Sequence, residues 1–367
     1  MKFKLLILVL LIGKISIANM ASPTKEGTMT SSAYSSKDIH ILSEKILIRI
    51  DKNFNTAKFI VEYTINSDII GTQIPLLFYA KDYKDNFSVW MDNQLVSIKP
   101  IPEQYINFYN SPFSGFKNNF EKDNSNNDST SISWIKDSWY IYKINELKYF
   151  ETFINKGVHT VRVEYTAEAW TDASDWLKKY SFRYSLSPAK FWKSFGTLNI
   201  TIEQEGLIKQ LTTNIGQPNE KEFKQSNTWT FNKLPADNLE ISYSPKPNKF
   251  AAIFLSLEPS GIAVIVSLAL LMLHFFLIKN YRKNNLNKKY SIVVILGSLL
   301  VPFLSLLSFI LSFNFIDNLI GVDAGRHHGY YILIIVLYPI ILPIYWTIIG
   351  FIDKQLKKKL INQKNPL

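Results

Sequence analysis

The sequence predicts a mainly β exported domain, β-sandwich-like and built as two units, followed by a three-helix transmembrane α segment. Three patterns predict it: apolar residues alternating with period two through the first two thirds, three apolar runs without Asp, Glu, Lys or Arg near the C-terminus, and basic clusters that flank apolar segments.

The first element is residues 1–18. Lys2 and Lys4 precede an apolar run from Leu5 to Ile12, and Ser16 and Ala18 supply the small residues of a cleavage site, so 1–18 reads as a signal peptide. The run is short against the roughly 20 residues that a span needs. An uncleaved anchor is the alternative, and it leaves the next domain on the same side.

From Ile39 onwards the period is two. Lys45 to Ile50 alternates, breaks at Asp51 to Asn55 and resumes from Lys58 to Ile65, which predicts a hairpin. Phe87–Trp90 and Gln94–Ile98 flank Asp92-Asn93, a pair that tolerates positive φ, and predict a second hairpin. Val158–Tyr165 reads as a further strand. Asn118–Ser133, rich in Asn, Ser and Asp, reads as a loop or disordered insertion. After a polar turn at Asp172–Asp175, strands follow at Tyr180–Leu186, Thr197–Ile202, Thr228–Phe231 and Leu239–Tyr243. These divide into units 38–170 and 178–245, with one larger sandwich crossed by a long connection as the alternative. Pro245 and Pro247 stiffen the link that follows.

Three spans are expected at 259–278, 290–313 and 330–352, before a basic tail, 353–367. Pro259 suits the first turn of a helix, where its missing N–H removes no intrahelical bond. Lys279–Lys289 carries five basic residues and no acid, whereas Asn314–Gly329 balances Arg326 against Asp317 and Asp323. The positive-inside rule therefore places the first loop and the tail in the cytoplasm, with the β-domain on the extracytoplasmic side of the cytoplasmic (inner) membrane.

The formal net charge of +11 does not mark a nucleic-acid partner, because residues 19–257 hold 27 basic and 26 acidic side chains. The expected partners are the lipid bilayer and a protein or envelope polymer. Cysteine is absent, which excludes disulfides, thiolate metal sites and a cysteine nucleophile. No cofactor motif, P-loop, Gly-x-Ser-x-Gly elbow or His-Glu-x-x-His helix occurs, and no catalytic residue is assigned. His40 and His159 stand far apart, and His159 beside a strand is the conceivable base of a serine triad.

Two further constellations are candidates. Asp323, His327 and His328, with Asp317 nearby, could hold a metal or sense protons; the bland reading is an interfacial loop. Trp134, Trp139, Trp170, Trp176 and Trp192 could form a ligand-stacking face, although core packing is the default for tryptophan. Trp192 lies in an aromatic segment, Leu186–Gly196, that reads as a plug at one end of the fold. His274, alone in an apolar helix, and Glu258, at a helix start, add little. The function expected is a non-enzymatic binding or scaffold role, against two alternatives: an accessory subunit of a transporter or channel, and an envelope hydrolase with an unrecognised site.

Overall fold

The computed structural model describes residues 24–25, 29–30, 39–68, 70–73, 78–81, 83–100, 120–122, 130–133, 141–143, 147–150, 152–186, 189, 194–206, 211–220, 224–326 and 328–364. The signal peptide expected at 1–18 lies outside them, as do Trp134, Trp139, Trp192 and His327. The chain forms a β-unit, Thr24–Asp172 with Lys179–Ser244, and a helical unit, Ala173–Lys178 with Pro245–Leu367.

Twelve strands of the β-unit make two sheets. In chain order they are β1 (Thr24–Lys25), β2 (Ile39–Ile50), β3 (Thr56–Ser67), β4 (Asp85–Met91), β5 (Gln94–Val96), β6 (Gly157–Glu168), β7 (Trp170–Asp172), β8 (Lys179–Ser185), β9 (Phe195–Gln204), β10 (Thr212–Thr213), β11 (Ser226–Phe231) and β12 (Asn238–Tyr243). The larger sheet runs β11-β9-β2-β3-β6-β4-β5 and the smaller β1-β7-β8-β12-β10. Both predicted hairpins are present. The β2–β3 turn closes on Asp51, whose carboxylate accepts from the Asn53, Asn55 and Thr56 amides and the Thr56 hydroxyl. At the β4–β5 turn, Asp92 and Asn93 both have positive φ (47° and 65°), as a two-residue hairpin turn that matches strand twist requires.

The division at 38–170 and 178–245 is not how the strands pair. Strand β9 lies parallel beside β2, and β11 pairs with β9, so the seven-stranded sheet takes strands from both halves. Strand β7 of the first half likewise pairs with β8 of the second. Alternation shows which face of a strand is apolar but not which strand lies beside it. The two sheets share one core: Phe59, Val61, Val163 and Ile200 of the larger pack with Phe182, Tyr184 and Ile241 of the smaller. Asn118–Ser133 also departs from expectation, since Phe120–Lys122 and Thr130–Ser133 pair as short strands. Its composition hid the pairing of Phe120 with Ile132.

Three helices follow that are long and apolar enough to cross a membrane. They are α1 (Lys249–Asn284), α2 (Ile292–Ile320) and α3 (Tyr338–Lys364), the last entered through a 3₁₀ segment, Tyr331–Leu337. Helix α1 begins ten residues before the expected span because the Asn248 side chain caps it, accepting from the Ala251 amide at 2.8 Å. Pro259 marks a break instead of a start: Glu258 leaves helical conformation (φ 56°, ψ 168°), since the residue before proline is disfavoured there. Phe276 and Phe351 are 64% and 63% exposed, as expected of side chains that face lipid.

Polar groups join the helices. A Cβ on Gly297 would meet the His274 ring at 2.0 Å, so this glycine lets α1 and α2 touch. The Val293 carbonyl can only accept, so His274 Nε2 donates to it (3.1 Å) and Nδ1 accepts from the Tyr345 hydroxyl (2.8 Å). One imidazole thereby links all three helices. Towards the α1–α2 loop, Arg282 donates two bonds to Asp353, at 2.6 and 2.5 Å, with both side chains buried.

Candidate functional site

Chemistry at neutral pH needs a group that can accept or release a proton, and the β-unit offers three settings for one. The first is His159, which lies 2.6 Å from Asp92 Oδ2 through Nδ1 and 2.8 Å from the Asn155 carbonyl through Nε2. Both neighbours are acceptors, so each ring nitrogen is placed to donate, an arrangement that favours the protonated imidazole. Burial opposes that charge, but the bonds to Asp92 and Asn155 outweigh it and raise the His159 pKa above its ordinary value. With both ring nitrogens engaged by Asp92 and Asn155, His159 is not presented as the base suggested by its place in the sequence. It fastens the β4–β5 turn to β6.

The second setting is His40. Its Nδ1 lies 3.0 Å from Ser194 Oγ and its Nε2 3.0 Å from Asp68 Oδ2. The carboxylate only accepts, so Nε2 carries a proton, and in the neutral ring Nδ1 is then placed to accept from the serine hydroxyl. This is the Ser–His–Asp relay of acyl-transfer enzymes with the two ring nitrogens exchanged. Three elements assemble it: His40 opens β2, Asp68 follows β3, and Ser194 precedes β9, which the parallel pairing carries alongside β2. The side chains of His40 and Asp68 are 29% and 42% exposed, so the relay is reachable from solvent. No spacing links positions 40, 68 and 194, and only the pairing of β9 with β2 could have revealed them.

A bulge beside this site sets the third. The register of β2 shifts between Ile41 and Ser43, which leaves Leu42 outside and turns Glu44, Ile46, Ile48 and Ile50 inward. Gly196 accommodates the bulge, since a Cβ there would meet the Leu42 carbonyl oxygen at 1.6 Å. Glu44 is 1% exposed between the sheets, where it accepts from the Tyr184 hydroxyl at 3.1 Å, and Tyr184 in turn lies 3.1 Å from the Tyr63 hydroxyl. Among the described residues, its second oxygen has no hydrogen-bond partner. Burial pushes the Glu44 carboxyl up to about 7, against the lowering by its phenol bonds.

In the helical unit, His328 pairs with Asp317 of α2, its Nε2 2.8 and 3.0 Å from the two carboxylate oxygens. The Trp176 ring packs on the imidazole at 4.2 Å and Phe313 at 5.2 Å. The backbone carbonyl of Asp323 accepts from the Lys178 amide at 2.9 Å. A Cβ on Gly325 would strike the Asp175 carbonyl oxygen at 1.8 Å, and the Gly325 amide donates to the Trp176 carbonyl. The cluster thus seats Ala173–Lys178 against the end of α2. Among the described residues, no three His, Asp or Glu side chains converge as metal ligands.

The tryptophans separate in the same way. Trp170 is buried at 6% with the Arg183 guanidinium 4.6 Å above its ring, so it adds no exposed ring to a stacking face, and Trp176 belongs to the helical unit. Trp90, not singled out from the sequence, lies on the outer face of the larger sheet. There a transverse row runs Leu95, Trp90, Arg162, Glu62, Lys45, Asn199, Thr230 across seven strands. Ion pairs occupy most of this face: Lys45–Glu62, Arg49–Glu203, Lys58–Glu164 and Arg162–Glu164. Leu95, at its β5 edge, is 70% exposed.

No family model matches the sequence, and no curated relative does. Among solved structures, similarity extends to a Legionella pneumophila protein whose name proposes nutrient binding, at 14% identity and a TM-score of 0.37 over 60% of this chain and 72% of that one. A leukotriene A4 hydrolase from Saccharomyces cerevisiae follows at 10% and 0.30, covering 57% of this chain and 29% of its own. An M1 zinc metallopeptidase from Deinococcus radiodurans stands at 8% and 0.26, covering 57% and 43%. The chain thus matches less than half the length of either enzyme. At these TM-scores the likenesses carry no argument about fold or activity.

Proposed function

We propose that the protein is a multi-pass, membrane-anchored component of the cell envelope whose extracytoplasmic β-unit, sandwich-like in its two-sheet core, has a non-enzymatic binding or scaffold role toward a protein or envelope polymer. The three apolar helices support the anchor, and the basic α1–α2 loop supports the orientation. The observation that carries the binding role is the outer face of the larger sheet. Its charges meet in pairs, mostly across neighbouring strands, while Trp90 and the exposed Leu95 leave an apolar edge at β4–β5. Such an edge, rimmed by polar groups, is the form a contact surface takes.

A photocrosslinking residue placed at Leu95 in intact cells tests this, with one at Lys45, on the ion-paired part of the same face, as the control. A discrete adduct at Leu95 that is absent at Lys45 and lost on Trp90→Ala is expected. Equal adducts at both positions, or none, would sink the reading.

The hydrolase alternative has a specific observation in its favour, the Ser194–His40–Asp68 relay. A serine with an accepting imidazole is a nucleophile in waiting, and its substrate class would be an ester or amide of the envelope. A fluorophosphonate probe should then label Ser194, with labelling abolished by Ser194→Ala and by His40→Ala. An unlabelled protein would remove this alternative.

A further inference from the structure

The end of the helical unit that carries the α1–α2 loop contains a cavity of about 890 Å³ between α2 and α3, within the range of roughly 300–1,000 Å³ typical of ligand pockets. Its lining changes character along its length. Trp346, Gly350, Lys354 and Lys357 follow one another on α3 at spacings of four, four and three, which places them on one helix face. That stripe passes from apolar to cationic over about 16 Å, at roughly 1.5 Å per residue. Val294 and Ile295 at the start of α2, with Phe351, complete the apolar part, and Lys289 joins the cationic end.

The charges do not cancel. The cavity's carboxylate, Asp353, is taken by Arg282 through two hydrogen bonds. Lys357 donates to the Lys288 carbonyl, which carries no charge, and Lys289 lies over the Tyr290 ring. Lys289, Lys354 and Lys357 thus face the cavity, and among the described residues no carboxylate is paired with them. A ligand that suits this wall has an anionic head and an apolar body, and it lies where a bilayer presents its headgroups to the loop. Gly350 sits midway, and beyond its chain neighbours and its own helix backbone no described atom lies within 4 Å of a Cβ built on it, so its face is open.

We infer that this cavity is a binding site for an anionic phospholipid. Its phosphate is held by Lys289, Lys354 and Lys357, and its first acyl carbons lie along Val294, Ile295, Trp346 and Phe351 past Gly350. The site is independent of the role proposed for the β-unit.

The full-length protein reconstituted with lipids brominated in their acyl chains tests it. The contribution of Trp346 is read as the difference in fluorescence between the wild type and Trp346→Phe. Brominated phosphatidylglycerol should quench that contribution more strongly than brominated phosphatidylcholine at equal mole fraction. Gly350→Phe should place a ring in the path of the acyl chain, starting from a position where a Cβ meets no close neighbour, and abolish the preference. Lys354→Gln and Lys357→Gln should each weaken it about fivefold, the share of one cation near an anionic headgroup. Equal quenching by the two lipids would overturn the proposal, and so would a preference that survives Gly350→Phe. Loss of the preference on adding soluble glycerol phosphate would assign the site to a water-soluble anion, and would overturn it too.

Discussion

Glu44 in the β-unit and Arg282 in the helical unit are both withdrawn from solvent, at 1% exposure each, yet among the described residues only Arg282 has a counter-ion. Glu44 sits among phenols, which donate hydrogen bonds but carry no compensating charge, so burial favours its protonated form. A guanidinium has no such escape, because it stays charged in any protein environment. Arg282 is tolerated because Asp353 meets it with the matching two-pronged geometry. A carboxyl can be buried alone by neutralising it, whereas an arginine must be buried as a pair.

Breaking the pair is the harshest test of this difference. Arg282→Ala leaves Asp353 without its partner and should destabilise the helical unit by about 3–5 kcal/mol, read by detergent-denaturation of the purified full-length protein. Replacing both partners, as Arg282→Met with Asp353→Leu, should restore most of the loss. If the single variant matches the double, the pair contributes no more than its bulk.

A smaller effect, visible through pH, is expected at Glu44. Its pKa is about 7 in the folded chain against an ordinary 4.5, so the folded state holds a proton that the unfolded state releases. Stability therefore falls as pH rises through this window, by about 3 kcal/mol in total at roughly 1.4 kcal/mol per unit. Glu44→Gln keeps an acceptor for Tyr184 and should remove that slope, gaining stability at pH 8 and changing little at pH 4. A slope of equal size in the variant would place the proton elsewhere.

The smallest effect belongs to charges that were never buried. Arg49 and Glu203 meet at 2.7 Å but are 52% and 40% exposed. A double-mutant cycle with alanine should give a coupling of only about 0.2–1 kcal/mol, weaker in high salt. A coupling as large as that of Arg282 with Asp353 would mean that burial is not what separates the two cases.

The features legible in the sequence are those set by neighbours along the chain. The β2–β3 and β4–β5 hairpins followed from alternation and from Asp92-Asn93, because a two-residue turn commits both strands at once. The three spans followed from uninterrupted apolar length, though Asn248 and the kink at Glu258 shifted where the first begins. Glu258 and His274 had little weight as isolated residues. One proved to be the break that Pro259 imposes, and the other the link among three helices.

By itself, then, the sequence determined a β-rich chain followed by three apolar helices, since strand period, turn chemistry and hydrophobic length are local properties. Tertiary structure alone decided that β9 runs parallel beside β2, that the Leu42 bulge turns Glu44 into the core, and that Ser194 meets His40 and Asp68. It likewise decided that Asp353, 71 residues away, answers Arg282, and that Asp317 answers His328. Each of these joins residues distant in the chain, where alternation and composition are the same whichever partner is chosen. Only the closing of the core and the packing of helix on helix single one out.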